Sequence, residues 1–289
     1  MQLGIDIGGS HVGIGVVDEK GNILKKQIMD YDGSDISADD IFEFINEFIS
    51  KNKQHNFKSI GIGVPGISSG TVINYTCNLP FNNVDVAEYI NIDIPIYISN
   101  DANCATIAEY EIADKRFYSN YALVTFGTGI GSGMILNGEL YKGSTGSAGE
   151  LGHIVIEKNG LPCKCGRRGC FEQYASITAL KRMTCLESLK EIFYLSERNE
   201  SIQKTLDEYI ENMAEGLVNF VNLYDFEMLV IGGSLANYSN SFMYKLKAKM
   251  MSKIYNKYTC DLNIKSATLG NDAGIIGASL LHKYEQQER

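Results

Sequence analysis

Leu3-Gly4-Ile5-Asp6-Ile7-Gly8-Gly9-Ser10-His11-Val12-Gly13-Ile14-Gly15-Val16 reads as two strands folded around a glycine turn. Leu3, Ile5 and Ile7 alternate with smaller or polar residues, Gly8-Gly9-Ser10 breaks the pattern, and Val12, Ile14 and Val16 resume it. Asp18-Glu19-Lys20-Gly21 then predicts a hairpin turn into Ile23 and Leu24. The same order returns later. Leu123-Val124-Thr125-Phe126 meets Gly127-Thr128-Gly129-Ile130-Gly131, and Met134-Ile135-Leu136 runs into Asn137-Gly138. Gly127 stands 119 residues after Gly8, so the opening of one lobe is repeated as the opening of a second.

Outward from these turns, strands alternate with helices. Ser37 and Asp40 form a capping-box pattern before an apolar face of Ile41, Phe44, Ile45, Phe48 and Ile49. Strands are expected at 59–64, 94–99, 228–231 and 264–269, and helices at 102–113, 176–190, 201–224, 240–256 and 273–283. The class is α/β. The 289 residues suit two lobes of roughly 100–150 each. The expected lobes are residues 1–117, rejoined by a last helix at 273–289, and residues 118–272.

Hydrophobic content of 44% and charged content of 21% are ordinary for a globular chain. A formal net charge of −9 argues against nucleic acid or an anionic membrane as partner, since both call for a basic face. No apolar run approaches the ~20 residues needed to span a bilayer, and the first residues lack a signal-peptide pattern. The chain is expected in the cytoplasm, where thiols stay reduced. The 29 glycines cluster, which points to backbone-lined binding turns.

Three such turns follow apolar strands: Asp6-Ile7-Gly8-Gly9-Ser10, Gly127-Thr128-Gly129-Ile130-Gly131 and Gly232-Gly233. Glycine lets the backbone approach a ligand and offer N–H groups to phosphate oxygens. Ser10 and Thr128 add hydroxyls, and Asp6 suits Mg²⁺ held through water. Each turn alone would also serve as a plain hairpin. The P-loop and dinucleotide-binding spacings are absent.

His153 with Cys163, Cys165 and Cys170 supplies one imidazole and three thiolates, the donor set of a closed tetrahedral zinc site. Four protein ligands leave no open position, so the expected zinc is structural. One nitrogen of His153 would bind the metal, and the other is either idle or turned to a substrate. Cys77, Cys104, Cys185 and Cys260 are expected to be small buried apolar residues.

Taken together, Asp6-Ile7-Gly8-Gly9-Ser10, Gly61-Ile62-Gly63-Val64-Pro65-Gly66, Asn100-Asp101-Ala102-Asn103, residues 127–172 and Leu269-Gly270-Asn271-Asp272-Ala273-Gly274 resemble the ROK family of sugar kinases and repressors. The densest match runs from residue 143 through His153 to Cys163-x-Cys165-Gly166-x-x-Gly169-Cys170-x-Glu172. The resemblance implies a two-lobed actin-like ATPase (ribonuclease H-like) fold with a cleft between lobes. It implies an ATP-dependent hexose kinase of glucokinase type, using Mg²⁺ with ATP and forming a homodimer or homotetramer. Asp101 matches the catalytic base. Asn100, Glu150, His153 and Glu172 match sugar-hydroxyl contacts, and Gly66 a backbone contact. Asp101 is equally placed to cap the helix expected at 102–113, and Glu150 and Glu172 could be plain solvated loop acids. Ser10 replaces the usual Thr. His11 stands where the family often has Lys or Asn. The family's repressors carry an N-terminal helix-turn-helix, for which a first strand starting near Leu3 leaves no room.

Overall fold

The computed structural model describes residues 1–31, 36–76, 79–256 and 261–284. Cys77, Cys260 and part of the 74–83 loop lie outside the described residues. The chain divides into two compact units. One comprises Met1–Ser119, Gly133–Ala148 and Asn271–Arg289, the other Asn120–Ser132 and Gly149–Gly270.

The first sheet comprises β1 (Gln2–Ile7), β2 (His11–Val17), β3 (Ile23–Asp30), β4 (Ile60–Val64) and β8 (Ile96–Asn100), in the order β3-β2-β1-β4-β8. β1 is antiparallel to β2 and parallel to β4, and β4 is parallel to β8. A second sheet has β9 (Tyr121–Phe126), β10 (Ile130–Leu136), β11 (Glu139–Leu140), β12 (Met228–Gly232) and β13 (Asn263–Ser266), in the order β11-β10-β9-β12-β13. β12 is parallel to both β9 and β13. The expected repeat is therefore real at the level of topology: each opening strand has a hairpin on one side and two crossover strands on the other. A small third sheet joins β5 (Gly66–Ser69), β6 (Val72–Thr76) and β7 (Val84–Asp85).

The two faces of the first sheet differ sharply. Leu3, Ile5, Ile7, Val12, Ile14 and Val16 are fully buried in a core shared with α1 (Ala38–Lys51). Helix α1 starts with the expected capping box: the Asp40 N–H donates to Ser37 Oγ, and the Ser37 N–H to Asp40 Oδ2. Phe42 joins its buried face, and the expected Phe44 packs partly buried against the same core. The opposite sheet face carries Gly4, Gly13, Gly15 and Gly61, and there α8 (Ala273–Ser279) lies directly on the backbone. A methyl at Gly61 would stand 1.7 Å from the Ala278 carbonyl oxygen, and one at Gly4 2.0 Å from that of Ile275. Gly277 of α8 meets α2 (Asp101–Ala108) as closely, 1.6 Å from the Cys104 carbonyl oxygen. Many glycines thus seat a helix, a use beyond the binding turns expected of them.

Two of the expected helices change form or break. The 102–113 stretch is α2 followed by a π-helical turn, Glu109–Ala113. The 176–190 stretch breaks at Cys185, which caps α4 (Ile177–Thr184) in the left-handed region (φ 57°) and is exposed, not buried. Next come α5 (Leu189–Ser196), α6 (Glu200–Tyr224) and α7 (Ser239–Lys253). Lys245, Lys249 and Lys253 pair with Asp207, Glu211 and Glu215. The constant offset shows that α6 and α7 run parallel. No helix among the described residues is long and apolar enough to cross a membrane.

Candidate active site

In the first unit, Asp6 lies next to the end of β1 at Ile7, and the chain then turns through Gly8, Gly9 and Ser10. The Gly8 N–H closes the turn onto the His11 carbonyl at 2.9 Å. Tyr31 then holds the outer side: its N–H donates to Ser10 O at 2.9 Å, and its hydroxyl donates to Gly8 O. With these carbonyls engaged, the N–H groups of Gly9 and Ser10 donate to no group among the described residues. Free amides on a glycine turn are what an anion binds. Tyr31 was not singled out in the sequence, because its contact spans some twenty residues.

Asp6 lies against Gly274, where an added methyl would be 2.2 Å from Oδ2. Burial pushes the Asp6 carboxyl up to about 6. The Tyr31 hydroxyl rises to about 12, by burial first and then by the nearby Asp6 charge. No cation among the described residues pairs with Asp6. A desolvated carboxylate without a protein cation beside a phosphate-suited turn fits a divalent ion.

Also in the first unit, β8 delivers Asn100 and Asp101 to the start of α2. The cap expected of Asp101 falls instead to Asn100, whose Oδ1 accepts from the N–H groups of Ala102 (2.9 Å) and Asn103 (3.4 Å). Asp101 is the first helical residue, with Oδ1 accepting from the Ala102 N–H at 2.8 Å. Gly66 opens β5, where Tyr75 O would meet an added methyl at 2.0 Å.

The second unit repeats the turn design. In Gly127-Thr128-Gly129-Ile130-Gly131, the Gly127 N–H donates to Gly129 O at 3.0 Å. The Ile177 N–H donates to Gly127 O (2.9 Å), and the Thr178 hydroxyl to Thr128 O (2.7 Å). Again the carbonyls are held, and the Thr128 and Gly129 N–H groups donate to nothing among the described residues. Gly232 ends β12, and Gly233 follows at φ 75°, so close to β9 that a side chain would meet Phe126 O at 2.4 Å. A positive φ and this approach both require glycine there.

The Cys/His cluster assembles as the spacing predicts. The candidate ligand atoms of His153, Cys163, Cys165 and Cys170 all lie within 4.8 Å of one another. His153 Nδ1 is 3.6 Å from Cys163 Sγ, and Cys165 Sγ is 3.6 Å from Cys170 Sγ. Tetrahedral zinc, with bonds of about 2.0–2.3 Å, places its ligand atoms about 3.5–3.8 Å apart. The residues therefore fit that ion. Burial, then the neighbouring thiols, push Cys170 up to about 12, whereas the Arg167 backbone N–H lowers Cys165. For all three thiols to lose their protons so close together, a cation must lie between them. Nδ1 is the His153 nitrogen that faces the thiols. Glu150 is exposed just ahead of the short 3-10 turn Leu151–His153. Glu172 is no solvated loop acid. It opens the short helix α3 (Glu172–Ala175), and its Oε2 accepts from the Ile130 N–H at 3.1 Å.

The ROK family model matches residues 2–285. The glucokinase of Thermotoga maritima is 26% identical, over 97% of this chain and 96% of its own length. The xylose repressor of Bacillus spizizenii is 29% identical, over 96% of this chain and 75% of its own length. The crystal structure of a Streptomyces griseus ROK glucokinase, in complex with glucose and AMPPNP, superposes with a TM-score of 0.82 at 25% identity, covering 97% of this chain and 98% of that one. This is the actin-like ATPase fold that the family resemblance implies. With a family match over nearly its whole length, the chain belongs to the ROK family.

Proposed function

We propose that the protein is an ATP-dependent hexose kinase, glucokinase first among the alternatives. The observation that carries this reading is at the end of β8. Asn100 holds the N-cap position, and Asp101 follows it as the first helical residue, a carboxylate set where β8 ends. Asp101 would accept the proton of the attacking sugar hydroxyl as the γ-phosphoryl group transfers. The Asn100 amide, the Gly66 backbone, Glu150, His153 Nε2 and Glu172 would bind the other hydroxyls. Free amides at Gly9, Ser10, Thr128 and Gly129, with Gly232 and Gly233 beside the second turn, would bind the phosphates. Mg²⁺ on Asp6 would neutralise their charge. Zinc on His153 and the three cysteines would fix the ring direction of His153.

The sequence similarity to a xylose repressor supplies the competing reading. A net charge of −9 speaks against DNA binding, which depends on basic residues. Kinases for fructose, mannose, N-acetylglucosamine or N-acetylmannosamine are the nearer alternatives, since one or two hydroxyl contacts decide among them. A coupled assay over this hexose panel with Mg²⁺-ATP tests the proposal. Glucose should be preferred, and Asp101→Asn should lower kcat by about 10²–10⁴-fold with sugar binding retained. An undiminished kcat in folded Asp101→Asn protein refutes the role of Asp101. No turnover on any hexose refutes the kinase reading.

A further inference from the structure

Glu172 links two functional segments of the second unit. It follows the cysteine loop by two positions, yet Oε2 rests on the glycine turn some forty residues earlier. The contact is intimate. A methyl at Gly129 would stand 2.3 Å from Oε2, although Gly129 has no positive φ. The Glu172 carboxylate thus occupies the space that a side chain at Gly129 would take. The hold continues along the chain, since Ile177 and Thr178 bind the carbonyls of Gly127 and Thr128. Their parent segment is itself anchored: the Tyr209 hydroxyl donates to Ala175 O at 2.7 Å, and Phe171 fills the notch at Gly216.

We propose that Glu172 is a positioning residue for the nucleotide turn in addition to a sugar contact. One oxygen fixes Ile130, so that the neighbouring Thr128 and Gly129 amides stay presented to phosphate; the other remains for a sugar hydroxyl. This rests on the reading of residues 127–131 as a phosphate turn. A carboxylate accepting a backbone N–H is among the stronger hydrogen bonds in water-poor surroundings. Its loss should thus cost nucleotide affinity even when no sugar is present, which a residue that touches only sugar would not do.

The test is ADP binding by calorimetry on the whole protein, without sugar. Glu172→Ala should bind ADP about ten-fold more weakly. Glu172→Gln, which keeps an acceptor oxygen, should recover most of that loss. Glu172→Asp, one methylene short, should not. Gly129→Ala should weaken ADP in the parental protein but add little to Glu172→Ala, because the methyl clashes only while the carboxylate is present. Hydrogen exchange gives a second readout: the Ile130 amide should be protected in the parental protein and exchange faster in the Ala and Asp variants. Should Glu172→Ala fail to fold, the Gln and Asp variants carry the same comparison. ADP affinity equal to parental in Ala or Asp, or an equal Gly129→Ala effect in both backgrounds, overturns the proposal. The hexose panel stands apart: if no hexose is phosphorylated while the ADP results are as expected, the kinase reading fails and the clamp survives.

Discussion

Asp6→Asn should make the protein more stable at neutral pH while removing a group proposed for Mg²⁺. In the fold the Asp6 carboxyl titrates near 6, against 3.8 when free, because burial disfavours its charged form. The folded state therefore binds this proton more tightly than the unfolded chain. Stability from that difference is fully present below about pH 4 and is lost as pH rises through about 6. At about 1.36 kcal/mol per pH unit, the loss is no more than about 3 kcal/mol by pH 8. Asparagine has nothing to ionise and escapes it. Urea unfolding of both proteins from about pH 4 to about pH 8, without nucleotide or Mg²⁺, measures the effect. The stability difference should grow in favour of Asp6→Asn by about 2–3 kcal/mol across that range. Added Mg²⁺ should stabilise the parental protein more than the variant. Parallel curves, with the same difference at both ends, would refute the view of Asp6 as a desolvated carboxylate.

Purified protein should carry about one zinc per chain by atomic absorption, as a closed four-ligand site requires. Cys163→Ser should lose it and raise the sugar KM about ten-fold or more; a metal-free parental protein with full activity would contradict the site. Gly61→Ala should destabilise by at least about 3 kcal/mol in urea, because the added methyl meets an α8 carbonyl 1.7 Å away and a backbone cannot yield as a side chain does. A loss below about 1 kcal/mol would mean that α8 is not seated as described.

The glycine turns, the strand–turn–strand repeat and the Cys/His set were legible because each is written in neighbouring residues. Local chemistry also foretold the Ser37–Asp40 cap. What escaped was carried by contacts across long separations. Tyr31, just past the end of β3, completes the first turn, and Glu172 reaches Ile130 across forty-two residues. The glycines at 4, 13, 15 and 61 were read with the binding turns. Their alternation along strands was the available signal that a helix backbone lies on that sheet face. Cys185 looked like a core thiol because composition says nothing of a left-handed cap, which turns it outward. Asp101 could be cap or base by position alone, and only the placement of the Asn100 side chain decides who caps.

The seating of α8 on β1 and β4 has a consequence for biosynthesis. Residues 273–279 complete a face whose first strand, residues 2–7, is synthesised long before them. Until residues 273–279 are made, that sheet waits with bare backbone uncovered on one side, a period in which unfinished surfaces invite misassociation. Nascent chains halted before residue 273 should accordingly recruit chaperones or be cleaved by protease, and become resistant once the last helix has docked.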